Sequence, residues 1–553
     1  MDDYYDLGSY HRAVSTVSPE AQLWFDRGLI WCYGFNHEEA VTCFKKAAEI
    51  DPDCAMAYWG VAYAAGPNYN KSWEAFTAAD LTQSLEQAHA ATQMALARLD
   101  GASEVEQALI RTLLHRYPSS RLAADGRTWN DAYADAMREV YRAFPHDADV
   151  CGLFAEALMN RTAWALWDLK NGEPAEGANT AEAAEVLEQA MTQTEQAGDE
   201  PHPGLLHMYI HLMEMSPHPE RALRAADALR DLVPDAGHLQ HMPTHIDVLC
   251  GHYHSVVTSN RRAIAADRKF MARQGALNFY SLYRCHNYHF KLYGAMFLGQ
   301  YQPALDAANE MVATLPDELL RVEVPPMADW LEGFVPMKQH VWIRFGKWQE
   351  IIDQPLPDDQ VLFCVTTAMM HYAKAVALAT TGDVAAAEAQ QQHFEAAVQR
   401  VPDTRYVFNN TCLDILAVAA EMLYGELEYR KGDFDRAFAH LRRSVELDDH
   451  LPYDEPWAWM QPSRHALGAL LLEQGRVEEA EAVYRADLGL DGTLSRACQH
   501  SDNVWSLHGF HECLRRLHKT SEADIIKLRL DLAVARADVP IQASCYCRLH
   551  HAI

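Results

Sequence analysis

Between Trp24 and Asp53 apolar residues recur at helical spacing, break at Gly34-Phe35-Asn36, and resume with Ala40, Phe44, Ala47 and Ala48 before Pro52 closes the run. That pattern predicts two helices joined by a tight turn. The same grammar returns near the C-terminus. Leu467-Gly468 and Leu471-Leu472 lead to Gln474-Gly475-Arg476, and Ala480, Ala482, Val483 and Tyr484 follow. It recurs around Gly432, with Ala437, Phe438 and Leu441 behind it, and again around Gly382, Gly346, Gly299 and Gly251. A small residue at the turn lets paired helices approach, and Ala and aromatic positions interlock neighbouring pairs. No stretch sustains period-two alternation over β-branched residues, so an all-α fold of repeated helical hairpins is expected. Two segments depart from the pattern. Residues 163–180 read as a loop leading into a new helix, and residues 316–336, with Pro325-Pro326 and Gly333, read as irregular. Long loops in a repeat array commonly cover a face or line a site.

These units resemble tetratricopeptide repeats, helix-turn-helix units of about 34 residues that stack into a solenoid. Gly432 to Gly475 is 43 residues and Gly251 to Gly299 is 48, so the spacing runs longer than the standard unit. The expected organisation is N-terminal repeats over 1–160, histidine-rich repeats over 161–340 and C-terminal repeats over 341–553, wound as one compact superhelix.

Composition narrows the partners. The 553 residues exceed one ordinary core, in keeping with a repeat array. Lys plus Arg is 47 against 77 Asp plus Glu, a net charge of −30 that speaks against nucleic-acid or anionic-membrane binding. No apolar run approaches the ~20 residues of a membrane span, and the start, Met1-Asp2-Asp3-Tyr4-Tyr5-Asp6, lacks the basic-then-apolar pattern of a secretory signal. Twelve cysteines are sparse, and Cys43, Cys250, Cys285 and Cys412 fall inside helical patterns. Free thiols filling a core in a reduced cytoplasmic setting are the simplest expectation.

Histidine carries the chemical signal. Of 28 histidines, 11 lie in the 88 residues from His202 to His289, more than twice an even share. His207 and His211 stand one helical turn apart, with Glu214 a turn further on. Two imidazoles at this spacing can hold one ion from a single helix. Next come His238, His241 and His245, with Pro243 expected in the first turn of the following helix. A third group is His286 and His289, toward one face at three-residue spacing. A single helical histidine is usually a surface residue or a satisfied core hydrogen-bonder. Three successive helix pairs that each bring a double histidine to equivalent faces argue for a shared metal site instead. His37 is a reserve ligand, and a helix start capped by Asn36 explains it equally well. His465, His508 and His511 with Glu512 form a C-terminal set, and Cys545-Tyr546-Cys547 is a weak metal or redox signal. No phosphate-binding loop, dinucleotide fingerprint or nucleophile elbow is present in the sequence.

The runs Gly34-Phe35-Asn36-His37-Glu38-Glu39-Ala40, His207 to His211, His241 to Ile246, His286 to Phe290 and Glu455 to Pro462 also resemble a largely uncharacterised family of long tetratricopeptide-like proteins of bacteria and fungi. The resemblance implies the architecture and the histidine set, not a named reaction.

The leading expectation is a metal-dependent enzyme. Its candidate ligands are His207, His211, His241, His245, His286 and His289, with His37, His238 and Glu214 in reserve. All-histidine ligation favours copper or iron, with zinc as a third choice, and disfavours magnesium and calcium. Six histidines could also serve two coppers. Such a centre suits oxidative, dioxygen-activating chemistry first and hydrolysis second, on a small-molecule substrate. Tyr209, Tyr283 and Arg284, with Glu214, are the candidate catalytic or substrate-contacting groups. The alternative is a non-catalytic scaffold that binds peptide or protein partners.

Overall fold

The computed structural model describes residues 4–122 and 125–549, so Met1-Asp2-Asp3 of the acidic start lie outside the described residues. The fold is all-α. Consecutive helices pack as hairpins: Pro19–Tyr33 on His37–Ile50, Ser281–Phe297 on Tyr301–Ala313, and Cys364–Thr380 on Val384–Val398. Further along, Cys412–Lys431 packs on Phe434–Asp449, Ser463–Glu473 on Val477–Asp487, and Val504–Arg516 on Thr520–Val534. The only ladder among the described residues is the pair of two-residue strands Tyr406–Val407 and Asn410–Thr411.

The first hairpin shows how sequence makes the unit. Ser18 caps the Ala21 amide and Pro19 takes the first helical position, where its missing N–H costs nothing. The Asn36 side chain caps the Glu39 amide, and Glu38 and Glu39 place negative charge at the positive end of the second helix. Between them Phe44 is the knob. A methyl group on Gly28 would sit 2.7 Å from its ring and one on Gly60 2.4 Å away, so both positions need glycine for the helices to close on it. The turn glycines expected at 251, 299, 346, 382, 432 and 475 all adopt positive φ. At Gly432, φ 84° lets its amide reach back to the Glu428 and Tyr429 carbonyls and end the helix.

The two irregular segments are as expected. Residues 163–179 form a loop before the helix Thr180–Ala197, and the stretch after Pro316 holds only short turns of helix, Asp317–Leu320, Met327–Leu331 and the 3-10 turn Glu332–Phe334. The chain groups into two compact units, residues 1–246 with 262–280, and residues 247–261 with 281–553. No described helix is long and apolar enough to cross a membrane.

Candidate metal centre

In the first unit one helix is central. Pro203–Glu214 packs on Pro19–Tyr33, Ala148–Met159, Thr180–Ala197 and Leu223–Leu229, and all twelve of its residues are buried. His202 caps it, its Nδ1 accepting from the Leu205 amide at 3.2 Å. Its Nε2–H is thereby left to donate to Asp149 at 3.2 Å. Asp149 also receives the hydroxyls of Tyr10 and Tyr33 and the guanidinium of Arg12. Against the penalty of burial, Arg12 and His202 hold the Asp149 carboxyl well below the usual range. This network pins Tyr33 at the end of the first helix. Gly204 lets the two helices meet there, because a methyl group at that position would lie 2.7 Å from the Tyr33 ring.

The consequence is the orientation of His207. Its Nδ1 lies 2.6 Å from the Tyr33 carbonyl oxygen. A carbonyl can only accept, so Nδ1 carries the proton and Nε2 carries the lone pair. His211, one turn later, places its Nδ1 2.8 Å from Glu214 Oε1. Pro243 begins the helix Pro243–Leu249, as its sequence position predicts, and His245 in that first turn sets its Nδ1 on Glu214 Oε2. His241 and His245 face each other, Nε2 to Nε2, at 2.8 Å. His238 stands beside His207 and His211, with ring centroids 4.9 and 6.4 Å away.

These six side chains, His207, His211, Glu214, His238, His241 and His245, are at most 1% exposed. His207, His211 and His238 each offer a nitrogen within 4.8 Å of the others, and His211, Glu214 and His245 do the same. Nε2 of His207 and Nε2 of His211 have no hydrogen-bond partner among the described residues. Burial, reinforced by the neighbouring rings, holds His207, His238 and His245 well below the ordinary imidazole value, and burial takes His211 down to about 3. All are therefore in the neutral form that binds metals. Burial alone pushes the Glu214 carboxyl up.

Sequence reasoning missed the walls. Phe35 stacks on His211 and His238 at 5.7 and 5.5 Å, while Tyr69 and Trp164 lie 4.9 and 5.8 Å from the His211 ring. Phe35 and Trp164 both hold positive φ, 55° and 59°, a conformation that costs bulky residues of order 1–3 kcal/mol and that collects at functional sites. The signal available in the sequence was the Gly34-Phe35-Asn36 turn itself. His37 is adjacent, with its ring 6.1 Å from Phe35, but its Nδ1 bonds the Ala64 carbonyl at 3.0 Å, and burial lowers it to about 4.

Tyr209 is two residues from His207 and two from His211, about 200° round the helix, so it leaves by the opposite face. There its hydroxyl bonds Glu188 at 2.7 Å, and it lines a groove of about 650 Å³ with Arg221 and Leu205. In the second unit, His286 and His289 lie on Ser281–Phe297 against Phe408 and Phe334, at 4.5 and 5.2 Å. Tyr283 is buried on that helix, and Arg284 donates to Ser281 Oγ. His465 is fixed by Arg344 on Nδ1 at 2.9 Å and by Asp487 on Nε2 at 3.1 Å. Glu512 is held by Arg548 at 2.7 and 3.0 Å. Cys545 and Cys547 are joined as a disulfide, and the ten other cysteines, nine of them buried, form none.

A family profile described as "Tetratricopeptide repeat" matches residues 21–54, the first hairpin. No curated protein matches the chain in sequence. Among solved structures, that of yeast Tom70 is 13% identical, covering 92% of this chain and 96% of its own, with a TM-score of 0.27. The structure of Naa15/Naa10 bound to HypK-THB is 14% identical, covering 94% of this chain and 73% of its own, with a TM-score of 0.20. Scores this low carry no argument. The repeat architecture rests on the hairpins and on the match at residues 21–54.

Proposed function

We propose that this chain is a helical-repeat scaffold for protein partners, with one transition-metal ion tying together its first unit. The tetratricopeptide match supports the scaffold half and speaks for no reaction. The observation that carries the metal half is the set of inward Nε2 atoms, whose opposite nitrogens the Tyr33 carbonyl and Glu214 hold as donors. His207, His211 and His238 are the first ligands, with His241 and His245 as further arms. An all-imidazole set suits copper, iron or zinc. Enclosure by aromatic walls favours a structural ion, since catalytic sites keep an open position.

A second reading keeps the enzyme: a dioxygen-activating or hydrolytic centre acting on a small molecule. The left-handed backbone at Phe35 and Trp164 favours it, because strain of that kind collects at working sites.

One experiment separates the two. Untagged protein is analysed for metal, stripped with a chelator and reloaded with copper, iron or zinc. A structural ion predicts that stripping lowers the melting temperature and that reloading restores it. A catalytic ion predicts unchanged stability with metal-dependent oxygen consumption or hydrolysis. Absence of affinity for all three metals overturns the second reading and the metal half of the first, and leaves the scaffold.

A further inference from the structure

Glu214 is placed to do something other than bind a metal. It ends the central helix of the first unit, three residues beyond His211, and reaches across to the helix Pro243–Leu249. Each of its oxygens meets one imidazole nitrogen, His211 Nδ1 on Oε1 at 2.8 Å and His245 Nδ1 on Oε2. With one imidazole on each oxygen, the carboxylate stands behind the ligands rather than among them.

We infer that Glu214 is the positioning residue of the centre: it fixes His211 and His245 as Nε2 ligands and sets a negative charge behind a divalent cation. The inference rests on the metal reading above. With a cation held on the rings the carboxylate is ionised and has no proton to give, so both rings present N–H to it, and the lone pair of each is left on the far nitrogen. The Tyr33 carbonyl imposes the same tautomer on His207. Three rings from three places in the sequence are thus set alike, by two acceptors that cannot donate. Outer-sphere carboxylates of this kind orient imidazoles and raise their basicity, and losing one costs roughly 10–100-fold in metal affinity.

Glutamine is the discriminating replacement because it matches glutamate in shape. Its amide oxygen can accept from one ring, but its NH₂ must donate to the other. That ring then carries its proton on Nε2 and is lost as a ligand. Aspartate keeps two acceptors and the charge.

The test uses the full-length untagged protein and two probes, zinc for affinity by chelator competition and copper for electron paramagnetic resonance. Glu214→Gln is expected to lower zinc affinity roughly 10–100-fold and to remove one imidazole nitrogen from the copper spectrum. Glu214→Asp should keep the wild-type nitrogen count. A residue that only packed would change the melting temperature of the metal-free protein and leave that count alone. If wild type binds neither metal, the metal reading itself fails. If wild type binds and Glu214→Gln matches it in affinity and nitrogen count, this inference alone fails. Should Glu214→Gln not fold, nitrogen-15 NMR of histidine-labelled, zinc-loaded wild type decides instead. Nδ1–H tautomers are expected for His207, His211 and His245, and an Nε2–H tautomer at His211 or His245 overturns the assignment.

Discussion

The two units each bury histidines against a carboxylate, yet they use the imidazoles differently. In the second unit Asp487 receives His465 Nε2, His500 Nδ1, Asn503 Nδ2 and Ser506 Oγ at 3.1, 2.9, 3.0 and 2.6 Å. Arg344 takes the other nitrogen of His465. Both ring nitrogens of His465 are engaged by protein, and the cluster is a closed hydrogen-bond network. In the first unit the Tyr33 carbonyl and Glu214 engage only the outer nitrogens of His207 and His211, and the inner ones are left as lone pairs. Counting buried histidines cannot separate a ligand set from a structural network. Which nitrogen is engaged can.

The strongest way to break this contrast is to delete one ring from each cluster. His211→Ala is expected to lower metal affinity by two orders of magnitude or more while keeping the fold, as plasma-emission metal analysis and circular dichroism would show. His465→Ala should leave metal content unchanged. If both variants lose metal alike, the nitrogen criterion is wrong.

Next in size is the carboxylate hub. Asp487→Ala strands four donors at once and should destabilise the second unit by about 3–5 kcal/mol, read by urea denaturation.

Acidity sharpens the contrast within the second unit. Against burial, His465 and His500 hold the Asp487 carboxyl well below its ordinary value. Asp448, which accepts from the Ser463 amide at 3.0 Å, is pushed up to about 7 by burial. The signs are opposite. Asp487 stabilises the fold above the unfolded carboxylate value near ~4, and its contribution is lost as pH falls below that. Asp448 favours the fold while protonated, so its contribution is full below ~4 and is lost as pH rises toward about 7. Asp448→Asn should flatten the fall in stability between about pH 4 and 7, measured as urea midpoints across that range.

The smallest expected effect is at the helix contact that aims His207. Gly204→Ala forces a methyl group against the Tyr33 ring. A cost of about 1–3 kcal/mol is expected, together with a modest loss of zinc affinity. Gly432→Ala, in the second unit, strains a positive φ and should cost about 1 kcal/mol without touching metal binding.

Much of the fold was legible because hairpin turns and helix periods are local. Gly432, Pro243 and Asn36 each announce their role within a few residues. The His207–His211 pair was legible for the same reason, and helical geometry alone should have set Tyr209 on the opposite face. What stayed hidden depends on distant chain. The Tyr33 carbonyl lies 174 positions from His207 and is a backbone atom that no composition reveals. Trp164 sits in an irregular loop whose path has no periodicity to read. Glu214 looked like a third ligand because spacing gives its helical face but not that each oxygen already faces an imidazole.

The Tyr33 carbonyl has one further consequence, for how such a site can change over evolutionary time. Glu214 can be altered by a single codon, so the settings of His211 and His245 are open to mutation and selection. No substitution at position 33 deletes a main-chain oxygen. His207 can be re-aimed only by moving the end of the first helix, through Gly204, the Gly34-Phe35-Asn36 turn or the Asp149 network. One imidazole is therefore heritably rigid and two are heritably adjustable. Variation among descendants of this chain should accumulate around Glu214 before it reaches the turn that carries Tyr33.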